Sequence, residues 1–172
     1  MRILVNGVDI TETEHYGKRV LLDTMILCYA SDELSPSNRG AAVIIKAAVL
    51  GFLEAYVSLQ NIAELYSVIT SRKVQNPLSP SRAAEICTAY LKSTAIRKLQ
   101  PTIEDYREAV LEAERIGLRG GDFFDALLAC TARGKVEFIW TENIKDFKQF
   151  KFVETENPLE WLWETTNDEI KD

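Results

Sequence analysis

The chain has 172 residues, 47% of them hydrophobic, and a formal net charge of −6. This length fits one domain with a sizeable core, and no apolar run approaches the roughly 20 residues that span a bilayer. The N-terminal residues lack the apolar stretch of a signal peptide, so we expect a cytoplasmic protein with no membrane partner.

Strands that alternate with helices are predicted along the chain. Residues 1–10 suggest a hairpin around Asn6–Gly7, and residues 11–18 suggest a linker. The predicted strands are 19–22, 55–58, 96–99, 138–140 and 150–153, and the predicted helices are 38–50, 61–70, 80–92 (capped by Ser79 or Ser81), 102–116 and 122–132. The alternation indicates an α/β domain with a largely parallel sheet.

Histidine and cysteine usage narrows the chemistry. His15 is the only histidine and lies in a polar stretch, which disfavours Ser–His–Asp and Cys–His mechanisms. Cys28, Cys87 and Cys130 are far apart in apolar contexts. We therefore expect three small buried side chains rather than a disulfide framework or a zinc site.

Two strand ends carry polar side chains. Asp23 closes the apolar run of the 19–22 strand, and Thr141 follows the 138–140 strand. Ligands of open α/β sheets bind at the carboxyl ends of the strands, although such an Asp can also be a simple turn or cap residue. The loop after Thr141 adds Glu142, Asn143 and Asp146, any of which could bind a metal ion or its water.

Acidic side chains on two helices are further candidates. Asp125 lies in a helix that is apolar on nearly every side, where a charge is costly unless it is paired or bound to metal. The alternative for Asp125 is an acid favoured by the helix dipole, and that for Asp122 is an N-cap. Glu64 lies opposite the apolar stripe of its helix, which by itself favours a solvated surface residue.

Four short motifs in order resemble a PIN domain, and they are most similar to VapC-type toxins of prokaryotic toxin–antitoxin pairs. They are Leu22–Thr24, Asn61–Tyr66, Asp125–Ala129 and Thr141–Phe147. The resemblance covers about residues 19–155 and implies a PIN-like fold, with a mostly parallel sheet of four to five strands flanked by helices. Residues 1–18 are then an N-terminal extension, and residues 156–172 a C-terminal tail.

This resemblance implies an endoribonuclease that hydrolyses RNA phosphodiester bonds with Mg²⁺ or Mn²⁺. Its catalytic carboxylates are Asp23, Glu64 and Asp125. The fourth acidic position varies between Asp and Asn in the family, and here Asn143 fits it best, with Asp146 just downstream. With Asp122 these residues form the candidate metal-ligand set. The resemblance also implies a homodimer and a cognate antitoxin.

The acidic balance is an objection to an RNA-binding protein, since such proteins usually carry a basic surface. The objection weakens if acids surround cations or if basic residues cluster, as at Arg72–Lys73 and Arg97–Lys98. Arg72 and Lys73 are candidate phosphate contacts. Basic residues near a helix end can equally be solvated or compensate the helix dipole.

Two alternatives remain from the residues. One is a phosphatase with Asp23 as nucleophile, as in haloacid-dehalogenase-like enzymes, but Met25 stands where their second Asp would be. The other is a non-catalytic PIN-like module that binds RNA or protein. Metal-dependent RNA cleavage discriminates between these possibilities.

Overall fold

The computed structural model describes residues 1–166. In chain order its strands and helices are β1 (Arg2–Val5), β2 (Val8–Asp9), β3 (Arg19–Leu22), α1 (Thr24–Ser31), α2 (Asn38–Val49), β4 (Glu54–Ser58), α3 (Leu59–Ile69), α4 (Pro80–Lys92), β5 (Arg97–Leu99), α5 (Ile103–Ile116), α6 (Phe123–Ala132), β6 (Phe138–Trp140), α7 (Ile144–Phe147), β7 (Glu154–Glu156) and β8 (Trp163–Thr166). No helix in this part of the chain is long and apolar enough to cross a membrane.

The main sheet has five parallel strands in the order β5-β4-β3-β6-β7. The predicted α/β architecture is therefore confirmed. The chain leaves β3 towards β4 on one side and later returns to β6 on the other. Such a reversal of strand order opens a crevice at the carboxyl ends of the strands.

Two apolar cores lie on the two faces of this sheet. Successive residues of β3 point to opposite faces, so Val20 and Leu22 join one core and Leu21 joins the other. Helices α1 to α4 contribute to the first core, and α5 to α7 contribute to the second. The three cysteines are buried and free, as expected.

A second, antiparallel sheet has the order β2-β1-β8. Its hairpin turns at Asn6 and Gly7, which both have positive φ, 52° and 80°. β1 pairs with β8 over four residues, so the predicted extension and the first part of the predicted tail share one sheet. Residues 167–172 of that tail lie outside the described residues. Trp163 is buried, and its ring centroid lies 5.9 Å from that of Trp140, the last residue of β6.

The prediction of a strand at residues 150–153 is wrong. That segment turns instead, with the amide of Phe150 donating to the carbonyl of Phe147 at 2.9 Å, and the strand begins at Glu154. Phe150 is buried in the second core and meets the ring of Phe147 at 6.2 Å. Packing beneath the sheet, rather than strand pairing, therefore explains the apolar pattern of this segment.

Candidate active site at the carboxyl edge of the sheet

Asp23 lies where β3 ends and α1 begins, in the centre of the sheet. Its amide donates to the carbonyl of Trp140 at 3.0 Å, which extends the pairing of β3 with β6. Its carboxylate accepts from the amide of Thr24 at 2.7 Å and from the hydroxyl of Thr141 at 2.6 Å. Asp23 is only 9% exposed. Burial raises its pKa, and the nearby charge of Glu64 adds to this, while the two hydrogen bonds act in the opposite direction.

Glu64 is connected to Asp23 through Thr24. The Thr24 hydroxyl donates to Glu64 Oε2 at 2.7 Å and accepts from Asn61 Nδ2 at 3.0 Å. Asn61 Oδ1 in turn accepts from the Ser58 amide at 2.9 Å, as part of the capping box that starts α3. The backbone that begins α3 therefore also fixes Glu64 against α1. Glu64 is a half-buried, hydrogen-bonded residue and not the solvated surface glutamate that its helix pattern favours.

Gln60 belongs to this network but was not identified from the sequence. Its Nε2 donates to Glu64 Oε1 at 2.8 Å and to the carbonyl of Phe124 at 3.2 Å. A carboxylate oxygen and a backbone carbonyl both accept, which fixes the orientation of the Gln60 amide. Gln60 Oε1 is then a buried acceptor, and no donor in residues 1–166 reaches it. A glutamine in a first helical turn has no distinctive sequence signal, although its i, i+4 spacing to Glu64 fits a side-chain hydrogen bond.

Asp125 lies in the first turn of α6 and faces the other acids. Burial and then the charges of Asp146, Asp23, Glu64 and Asp122 raise its pKa to about 7. Four other carboxylates therefore lie within electrostatic range of Asp125. Within the described chain the Asp125 carboxylate has no ion pair and no hydrogen bond. Its neighbours on the same helical face are small and fully buried, as predicted: Ala129 and Ala132.

The remaining predicted ligands surround this centre. Asp122 occupies the N-cap position of α6, but its side chain makes no capping hydrogen bond. The backbone amide of Asn143 donates to Thr141 Oγ1 at 2.9 Å, and its side-chain Nδ2 donates to the carboxylate of Asp146. Asp146 is thus held at the start of α7, where it raises the pKa of Asp125.

The residues present fit a hard divalent cation in their chemistry. They offer carboxylate and amide oxygens, the ligands preferred by Mg²⁺ and Mn²⁺, and Gln60 Oε1 is an additional buried acceptor. Within residues 1–166, however, no three Asp, Glu, His or Cys side chains are close enough together to hold one ion. A cation would therefore keep several of its own waters, as Mg²⁺ usually does.

Arg72 and Lys73, the candidate phosphate contacts, lie in the loop after α3. Both are exposed, and neither side chain has an ion pair with a described residue. α3 runs away from the carboxyl edge, so this loop follows the distal end of the helix that carries Glu64. The structure does not bring the pair into the hydrogen-bonded network of the acids.

Comparison with known proteins relates this fold to a group of solved structures. No family model and no curated protein matches the chain. Solved structures do match, including a VapC toxin of Mycobacterium tuberculosis that cleaves the sarcin–ricin loop, with a TM-score of 0.61 and 19% identity over 78% of this chain and 97% of that chain. The chain has a VapC-like PIN fold.

Two VapBC structures bound to DNA match in the same way. For VapBC2 of Rickettsia felis the TM-score is 0.59, with 22% identity over 84% of this chain and 99% of that chain. For VapBC of Salmonella typhimurium the TM-score is 0.57, with 15% identity over 82% of this chain and 98% of that chain. The VapC-like fold explains why Asp23, Glu64 and Asp125, which are distant in sequence, lie at one edge of the sheet.

Proposed function

We propose that this protein is a metal-dependent endoribonuclease and the toxin of a toxin–antitoxin pair. One observation carries the proposal: carboxylates from the end of β3, from α3 and from α6 lie at the crevice of a VapC-like fold, where burial and then repulsion by neighbouring acids raise the pKa of Asp125 to about 7. Such repulsion is a cost to folding unless the site binds a cation. Oxygen-only ligands and the lack of a placed histidine favour hydrolysis supported by Mg²⁺ or Mn²⁺.

The chain's own groups would divide the work as follows. Asp23, Glu64 and Asp125 would hold the metal ion or its waters. A bound ion would supply positive charge that stabilises the transition state of phosphodiester hydrolysis. The Thr141 hydroxyl orients Asp23, and Thr24 with Gln60 orients Glu64. Burial and the neighbouring acids raise the pKa of Asp125 to about 7. A bound cation would favour its ionised form, so we expect cation binding near pH 7 to release a proton.

The partners belong to the same proposal. The neighbours from R. felis and S. typhimurium are VapBC structures, which supports a cognate antitoxin for this chain. We also propose RNA as the substrate, a homodimeric state and a cytoplasmic location. The exposed apolar side chains Ile103, Tyr106 and Val110 of α5 offer a face on which a second copy could pack.

A non-catalytic PIN-like module is a second candidate because, within residues 1–166, no three Asp, Glu, His or Cys side chains are close enough together to hold one ion. One experiment tests both. Total RNA is incubated with the protein in Mg²⁺ or Mn²⁺, with a chelator control, alongside Asp23→Asn and the exposed control Asp32→Asn. Cleavage that requires metal and Asp23 but not Asp32 supports the nuclease. A folded parent that binds RNA without cleaving it supports the module.

A further inference from the structure

Nine of the 20 basic side chains of this acidic protein form ion pairs within residues 1–166. Ion pairs between described residues involve, among others, Lys18 with Glu137 at 2.9 Å, Arg97 with Glu54 at 2.5 Å and Arg133 with Glu108 at 2.7 Å. Eight other basic side chains of the described residues have neither such a pair nor a side-chain hydrogen bond. In the described chain they occur singly or as the Arg72–Lys73 pair, with one exception.

The exception is the segment of residues 145–151, which contains Lys145, Lys148 and Lys151. All three are exposed, and within residues 1–166 none has an ion pair or a side-chain hydrogen bond. Their spacing of three places them on the outer side of α7 and its following turn, while Phe147 and Phe150 between them are buried. Asp146 is the one acid of the segment, and it acts on Asp125 in the site.

The segment starts at the candidate active site. β6 ends at Trp140, Thr141 then donates to Asp23, and Lys145 follows four residues later. Because β7 is parallel to β6, residues 142–153 must return from the carboxyl edge of the sheet to the opposite edge. The three lysines therefore form a row, the lysine row, which leads from the site along one flank of the molecule.

We infer that the lysine row binds the phosphate backbone of single-stranded RNA as it leaves the active site. This inference rests on the proposed function. The five carboxylates repel a polyanion wherever no cation neutralises them, so positive side chains beside the site would strengthen RNA binding. Unpaired lysines on a flank give such charge without sequence preference. An acidic net charge therefore does not exclude RNA binding, because it does not show where the unpaired lysine side chains lie.

The test measures RNA binding against salt in an Asp23→Asn background, which prevents cleavage. A fluorescent single-stranded RNA is titrated at several KCl concentrations in Mn²⁺. Lys145→Gln/Lys148→Gln is compared with Lys46→Gln/Lys92→Gln, which removes the same charge near the C-terminal ends of α2 and α4. Those ends precede β4 and β5, so they lie near the opposite edge of the sheet.

Loss of two phosphate contacts should reduce the slope of log affinity against log salt by about 1.4, at about 0.7 for each contact. At 0.1 M salt this corresponds to roughly 25-fold weaker binding. Adding Lys151→Gln should lower the slope by about 0.7 more. The Lys46/Lys92 control should stay within about twofold of the background. A separate Arg72→Gln/Lys73→Gln variant tests the contacts suggested by the sequence.

Equal behaviour of the lysine-row variant and its control overturns the inference, even if the parent protein cleaves RNA. If the background protein binds no RNA and the parent cleaves none, the proposed function fails as well, and the two failures are thereby distinguished. Thermal melts of each variant exclude loss of folding as the cause.

Discussion

Asp125→Asn should stabilise the protein in the absence of metal. In the parent, burial and then the charges of four other acids raise the pKa of the Asp125 carboxyl from 3.8 to about 7. The pKa difference, at about 1.36 kcal/mol per pKa unit, sets an upper limit of about 4 kcal/mol on the cost to folding. Side-chain rotation and water in a half-open site reduce this, so we expect about 1 kcal/mol, or an increase in Tm of about 2–4 °C.

The sign of the pH dependence follows from linkage. Because the folded-state pKa is raised, the folded protein binds more protons than the unfolded chain between pH 4 and 7, and its stability rises as pH falls through that window. Asp125→Asn removes this dependence. The stability gap between mutant and parent should therefore be largest at pH 7 or above and shrink as pH approaches 4.

Metal should reverse the order of stability. At 100 times its dissociation constant, Mn²⁺ would stabilise the parent by about 2.7 kcal/mol, and Asp125→Asn should lose much of this gain. The assay is a set of thermal melts of parent, Asp125→Asn and the exposed control Asp32→Asn, in chelator and in millimolar Mn²⁺. A mutant that is less stable than the parent in chelator, yet equally stabilised by Mn²⁺, would show that Asp125 is structural and refute the reasoning.

Three further predictions concern residues with different roles. Asp122→Asn should reduce RNA cleavage only moderately, whereas Asp125→Asn should abolish it. The opposite order in a cleavage assay would show that Asp122, and not Asp125, is the catalytic acid of this region. Gln60→Met should weaken Mn²⁺ binding by about 10-fold or more, because it removes one of the two hydrogen bonds that hold Glu64. The exposed Gln75→Met should leave Mn²⁺ binding unchanged; calorimetric titration measures both variants, and equal affinities would contradict the positioning role of Gln60. Trp163→Ala should cost about 3–5 kcal/mol in urea unfolding, since it empties the packing against Trp140, and a loss below 1 kcal/mol would show that the second sheet contributes little.

The sequence was sufficient to predict the site residues that directly follow a strand. Asp23 and Thr141 each follow an apolar run, and the structure joins them by a hydrogen bond of 2.6 Å. Asp125 was detectable because a charge in an apolar helix is unusual. Glu64 was not separable from a surface glutamate on its own pattern, since its role depends on Thr24, forty residues earlier.

The missed elements have physical causes as well. α1 gave no clear periodicity because its residues are buried on several sides, among them Thr24, Ile26, Leu27 and Cys28. β8 was missed because its partner strand, β1, lies at the other end of the described chain, and local patterns do not report such pairing.

The pairing of β1 with β8 also orders the folding of a chain during its synthesis. All five strands of the main sheet have been made once residue 156 leaves the ribosome, but β1 must wait for residues 163–166 before it gains its second partner. Until then the apolar strand Arg2–Val5 has an open edge on which other chains could add, and the Trp140 ring lacks its contact with Trp163. A ribosome stalled before residues 163–166 emerge would thus present a nearly complete VapC-like fold without its closing strand.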